Sequence, residues 1–105
     1  MNQHRETLAV HGGQVPDPAS QARGVPVHRT TAYQFRDAAH AARLFGLEEP
    51  GYMYTRLGNP TQTILEERMT LLEGGTGAVA FASGTAAVFS ALINVAGAGD
   101  EIVAA

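Results

Sequence analysis

The run Ala78-Val79-Ala80-Phe81-Ala82 passes through Ser83-Gly84-Thr85 into an apolar helical pattern, and this junction limits the fold more than any other stretch. The first five residues are a compact apolar run of strand length. Beyond them Phe89, Leu92, Ile93 and Ala96 recur at helical spacing. A buried strand feeding straight into a helix is the building unit of α/β proteins. At such a joint the first N–H groups of the helix have no partner inside it, and the helix dipole adds partial positive charge. Two uses suit Ser83-Gly84-Thr85. One is a cap, with Ser83 or Thr85 satisfying those N–H groups; the other is a seat for an anion such as a phosphate.

Composition removes several classes. With 105 residues the chain suits one small domain, and its formal net charge of −3 comes with seven scattered arginines rather than a basic face. Nucleic acid is therefore not an expected partner. There is no cysteine, so neither a disulfide framework nor a thiolate metal site is open to it. His40 has no second ligand at helical spacing, so no metal site is expected and the side chain reads as exposed. No apolar run reaches the length of a membrane span, and the N-terminus lacks the layout of a signal peptide; a cytoplasmic protein with no membrane partner is the expectation. Every Lys/Arg position is arginine. A mechanism that needs an amine side chain cannot run on these residues alone.

In chain order, residues 1–24 are polar and rich in Gly, Pro and Ala, with one helical turn at Thr7–His11 stopped by Gly12-Gly13. They read as an extended arm, mobile when alone. Residues 25–35 are β-branched and aromatic, but Pro26 makes them an edge or irregular segment. Asp37 caps a predicted helix over Ala38–Leu47. Asn59-Pro60 is a helix start, with Asn as cap and Pro at the first helical position. That helix runs from about Thr61 to Glu73 with Ile64, Leu65, Met69 and Leu72 as its apolar stripe, and Gly74-Gly75 end it. Strands are predicted at 78–82 and 101–105. Two strands and three helices cannot cover both faces of a parallel sheet, which implies the N-terminal part of a larger α/β protein.

Tyr54-Thr55-Arg56 places a phenol and a guanidinium two residues apart, on one side of an extended backbone. Convergent donors of this kind suit a phosphate, although an aromatic packing residue beside a surface arginine has the same pattern. Tyr54-Thr55-Arg56-Leu57-Gly58-Asn59-Pro60-Thr61 resembles the Y-x-R-x-x-N-P-T signature of the Cys/Met-metabolism family of pyridoxal-phosphate (PLP) enzymes. The resemblance extends to Thr7–Gly13, to Val25-Pro26 and Thr30–Phe35, to Leu71–Gly75 and to Ala82–Ala87. Within the family the chain most resembles the O-acetylhomoserine sulfhydrylases, through Thr55, the Ala41–Leu47 helix and Ala82-Ser83-Gly84. Cystathionine γ-synthase, methionine γ-lyase and O-succinylhomoserine sulfhydrylase share the same blocks.

The resemblance implies a fold-type I, aspartate-aminotransferase-like α/β architecture. Residues 1–50 would be the arm and first helix in a subunit-contact region, and 51–105 the start of the large PLP-binding domain. It implies that Tyr54 and Arg56 reach the phosphate of a cofactor bound mainly to a neighbouring subunit of a homo-oligomer. Ser83, Gly84 and Thr85 would hold the phosphate within their own subunit, and Tyr54 would be the one catalytic candidate. Thr85 departs from the methionine or histidine common there, and His28-Arg29 from a more usual Tyr-Gln. The implied substrates are O-acetylhomoserine and sulfide or a thiol. The Schiff-base lysine is absent, so the 105 residues alone are expected to be inactive. Two other classes remain open: a non-catalytic oligomerisation module, and a phosphate-binding module for another ligand.

Overall fold

The computed structural model describes residues 4–104. These contain four helices: α1 (Arg5–His11), α2 (Ala38–Phe45), α3 (Pro60–Glu73) and α4 (Gly84–Val95). Three of the four start as the sequence dictates. Asp37 Oδ1 accepts the His40 N–H at 2.6 Å to cap α2. Asn59 Oδ1 accepts the Thr61 N–H at 2.9 Å to cap α3, with Pro60 behind it. Ser83 Oγ accepts the Ala86 N–H at 3.2 Å to cap α4. Gly74 ends α3 in the left-handed conformation, φ 64°, a position where an L side chain is strained.

The arm is not free of the rest. α1 lies against α3, and two arginines tie them. Arg5 donates to the Leu72 carbonyl at 3.1 Å and lies 3.4 Å from the Glu73 carboxylate. Arg68 Nε donates to the Gly12 carbonyl at 2.9 Å. Gly13 has φ +68°, and a Cβ there would stand 2.7 Å from the Glu67 Cβ; only glycine lets the arm cross α3 this closely. The polar composition of residues 1–24 suggested a mobile arm because its few anchors are single residues spaced far apart.

A second cluster forms around α2. Leu44 is 2% exposed, the one buried apolar residue among the described residues. Gly51 runs over it, and a Cβ there would come within 2.8 Å of Leu44 Cδ2. The Phe35 ring packs 6.0 Å from Phe45 and 6.3 Å, edge-on, from His40. His40 is therefore not the exposed residue that its sequence context suggests. Its side chain is 15% exposed, Nδ1 accepts the Arg36 backbone N–H at 3.1 Å, and Nε2 faces Glu49 at 3.7 Å.

Glu49 also binds Arg36 at 2.7 Å and Arg43 at 2.9 Å. The Arg43 hydrogen bond holds the Glu49 carboxyl below its ordinary value of 4.5, and the His40 N–H does the same for Asp37 from 3.8. A carboxylate whose pKa is depressed in the fold stabilises it above the ordinary value, and that contribution is lost as the pH falls through the lowered one. The α2 region is accordingly expected to loosen below about pH 4, with the His40 amide NMR resonance moving before those of α3. A pH-independent His40 amide would contradict this.

The two predicted strands are not paired. Among the described residues there is no strand, only one antiparallel bridge between Ala32 and Tyr54. Residues 77–81 lack helix or turn hydrogen bonding, and the Ala80 N–H goes instead to the Glu66 carboxylate at 2.8 Å. A strand is defined by its ladder, and among the described residues no segment pairs with this one. Residues 101–104 are irregular, and the end of that predicted strand, Ala105, lies outside the described residues.

Candidate functional site

The site residues fall into two groups. The first begins with the segment 26–33, which lies alongside 52–61. Thr55 N–H donates to Thr31 O at 2.8 Å and Tyr33 N–H to Met53 O at 3.2 Å. Past this pairing the chain turns sharply: the Tyr54 carbonyl accepts from Leu57 N–H at 2.9 Å and Gly58 N–H at 3.1 Å. Tyr54 and Arg56 therefore converge through a turn, not through the pleat of an extended strand as the two-residue spacing suggests. The Arg56 guanidinium lies over the Tyr54 ring, 5.3 Å from its centroid. Both side chains are exposed. Arg56 makes no hydrogen bond or ion pair among the described residues, so its donors are free for an anion.

Asn59 anchors this turn. It is 6% exposed. While its oxygen caps α3, its Nδ2 donates to the His28 carbonyl at 2.9 Å and to Thr55 Oγ1 at 3.2 Å. The Thr55 hydroxyl donates a hydrogen bond to the Thr30 carbonyl. Thr61 Oγ1 accepts the His28 N–H at 2.9 Å. His28 and Arg29, which carry no assigned role, thus contribute through the backbone of residue 28.

The second group is the N-terminus of α4. Ser83 caps the Ala86 N–H, while the N–H groups of Gly84 and Thr85 have no acceptor among the described residues. A Cβ built on Gly84 meets nothing within 4 Å. Neither packing nor backbone conformation in this chain requires glycine at 84. Its benefit is to leave two outward N–H groups uncovered at the positive end of a helix dipole, which fits a phosphate. Ser83 thus serves as the cap, and the two N–H groups beside it are left without an acceptor among the described residues.

Among the described residues no hydrogen bond or ion pair joins Tyr54 or Arg56 to Ser83, Gly84 or Thr85. An open cavity of about 590 Å³ lies between their neighbours, lined by Thr55 and Asn59 on one side and Phe81 and Ala82 on the other, and none of those five residues lines it.

The family model described as Cys/Met metabolism PLP-dependent enzyme matches residues 6–105. The chain belongs to this family. It is 58% identical to the O-acetyl-L-homoserine sulfhydrylase of Leptospira meyeri over 99 residues, which are 94% of this chain and 22% of that protein. It is 53% identical to the homocysteine synthase of Schizosaccharomyces pombe, covering 97% of this chain and 24% of the relative. The crystal structure of an O-acetylhomoserine (thiol)-lyase from Campylobacter jejuni, which contains N'-pyridoxyl-lysine-5'-monophosphate, superposes with a TM-score of 0.88 at 44% identity, over 94% of this chain and 24% of that one. The chain thus spans about a quarter of the length of these relatives, and the fold-type I expectation holds. The unpaired segments follow from that span: a parallel sheet places sequence-distant strands side by side, and a quarter of it holds few of them. No helix among the described residues is long and apolar enough to cross a membrane.

The sequence marks Asn59 as a helix cap and a member of the family signature, and Thr55 as a marker of the subfamily, with no further role for either. The signal for more was the amide itself, since capping uses its oxygen and leaves two donors that a buried side chain must place.

Proposed function

We propose that this chain works within a cytoplasmic, homo-oligomeric PLP-dependent enzyme that replaces the Cγ substituent of O-acetylhomoserine. Sulfide enters and acetate leaves, giving homocysteine; with a thiol as nucleophile the product is the corresponding thioether, such as methionine. The observation that carries the cofactor site is the N-terminus of α4, with two unpartnered N–H groups and open space at Gly84. The 58% identity to a sulfhydrylase supports the substrate. PLP, when bound, supplies the electron sink for proton removal next to the amino group.

The chain's own contribution is binding and orientation. Gly84 and Thr85 N–H groups, with Ser83 beside them, receive the phosphate in their own subunit. Arg56 and the Tyr54 hydroxyl reach the phosphate of the cofactor in the adjacent subunit. Tyr54 is the member of this set that can hold or release a proton, and we assign it that task beside the substrate. Residues 1–50 act as the subunit-contact region and 51–105 open the cofactor domain, with α1 fastened across that division to α3. The amine that retains the cofactor comes from sequence beyond these residues.

In the full-length enzyme, Arg56→Ala is expected to weaken PLP binding by about one to two orders of magnitude, the cost of a charged hydrogen-bond partner. The oligomer should stay intact. An unchanged cofactor affinity with dissociated subunits would favour a purely structural association role, to which the exposed faces of α4 also lend themselves. Assays with O-acetylhomoserine, O-succinylhomoserine and cystathionine then separate the sulfhydrylases from their relatives.

A further inference from the structure

We infer that Thr55 and Asn59 form a positioning clamp that sets the aim of Arg56 and Tyr54, an inference that rests on the phosphate site proposed above. Arg56 has nothing of its own to hold it. Its guanidinium makes no hydrogen bond or ion pair among the described residues and lies over the Tyr54 ring, which belongs to the same turn. Orientation of the pair toward an anion must therefore come from the backbone of residues 54–58.

That backbone is held by side chains. Thr55 lies between Tyr54 and Arg56, and its hydroxyl both donates, to Thr30 O, and accepts, from Asn59 Nδ2. Asn59 uses both amide hydrogens and its oxygen, on His28 O, Thr55 Oγ1 and Thr61 N–H. One buried amide thus joins the turn, the segment 28–31 and the first turn of α3. Asn59 is the buried member of this network, and a buried amide with its donors satisfied favours a single geometry, because an alternative leaves a polar atom unpaired. A guanidinium aimed in advance loses less freedom when its phosphate arrives.

Thr55→Val keeps the shape of the side chain and removes its hydrogen bonds; Thr55→Ser keeps the hydroxyl. Asn59→Asp keeps the cap oxygen and removes the two donors. The measurements are PLP dissociation constants of the full-length apoenzymes, well below their melting temperatures, and the phosphorus NMR resonance of bound PLP. Thr55→Val and Asn59→Asp are expected to weaken PLP binding about tenfold and to shift or broaden that resonance. Thr55→Ser should restore both. Lower melting temperatures with wild-type affinity and resonance would overturn the clamp and reduce both residues to fold stability. Should Arg56→Ala weaken binding while Thr55→Val does not, the clamp fails and the phosphate role of Arg56 stands. Should neither weaken it, the phosphate site itself falls, and the clamp with it.

Discussion

A full-length enzyme carrying Gly84→Asp is expected to lose PLP almost completely while α4 becomes more stable. The two effects have opposite signs because they act on the same feature. Residue 84 is the first position of α4, after the Ser83 cap. A carboxylate in a first helical turn interacts favourably with the dipole, by about 0.3–1 kcal/mol. Replacing glycine also removes part of its entropy cost. Nothing within 4 Å obstructs a Cβ at this position. The same carboxylate would stand against a phosphate dianion. Two unit charges 4 Å apart at the effective dielectric of a protein surface repel by about 4 kcal/mol, roughly a thousandfold in a dissociation constant. Isothermal titration with PLP and thermal melting of the apoenzyme read the two sides separately. Gly84→Ala is the control, since it fills the open space without charge. If Gly84→Asp binds PLP as the wild type does, the cofactor phosphate does not lie at the N-terminus of α4.

What the sequence made legible was local. Asp37, Asn59-Pro60, Ser83 and Gly74 punctuate their helices as their chemistry requires, because capping needs only residues within one turn of each other. The block from Tyr54 to Thr61 and the Ser83-Gly84-Thr85 joint were visible for the same reason. What stayed hidden depends on partners far along the chain. The strand expected at 78–82 is unpaired among the described residues, and its pairing cannot be read from its own residues. Asn59 looked like a cap and proved also to hold His28, thirty-one residues upstream. His40 looked exposed, and Phe35 with Glu49 cover it. The convergence of Tyr54 and Arg56 was foreseen with the wrong backbone: a turn closed by Leu57 and Gly58 brings them together, and alternation along a strand does not.

By itself the 105-residue chain is expected to self-associate and to melt without a sharp, concentration-independent transition. Its accessible surface is 8624 Å². A folded globule of its 11.0 kDa would expose about 5,600 Å². Its radius of gyration, 17.3 Å, likewise exceeds the roughly 13 Å of a compact domain of this length. The excess, roughly 3,000 Å² on one chain, is at least as large as the roughly 1,000–2,500 Å² that each partner of an obligate interface buries. α4 contributes to it through exposed Val88, Phe89, Leu92, Ile93 and Val95, on a helix that is mostly apolar, as in helices that lie inside proteins. Phe89 is 61% exposed and Val88 60%, and Val79 and Phe81 on the preceding segment are exposed as well. Phe89→Glu therefore has opposite consequences in two settings. In the isolated chain it should lower association and dye binding, because it removes an aromatic ring from an uncovered face. In the full-length enzyme it should prevent accumulation of soluble oligomer, since burying an unpaired carboxylate costs several kcal/mol. Sedimentation of both forms distinguishes the cases. A monomeric isolated chain with a cooperative transition, or a full-length Phe89→Glu enzyme of normal yield, would mean that α4 needs no cover and that the chain is a self-sufficient module.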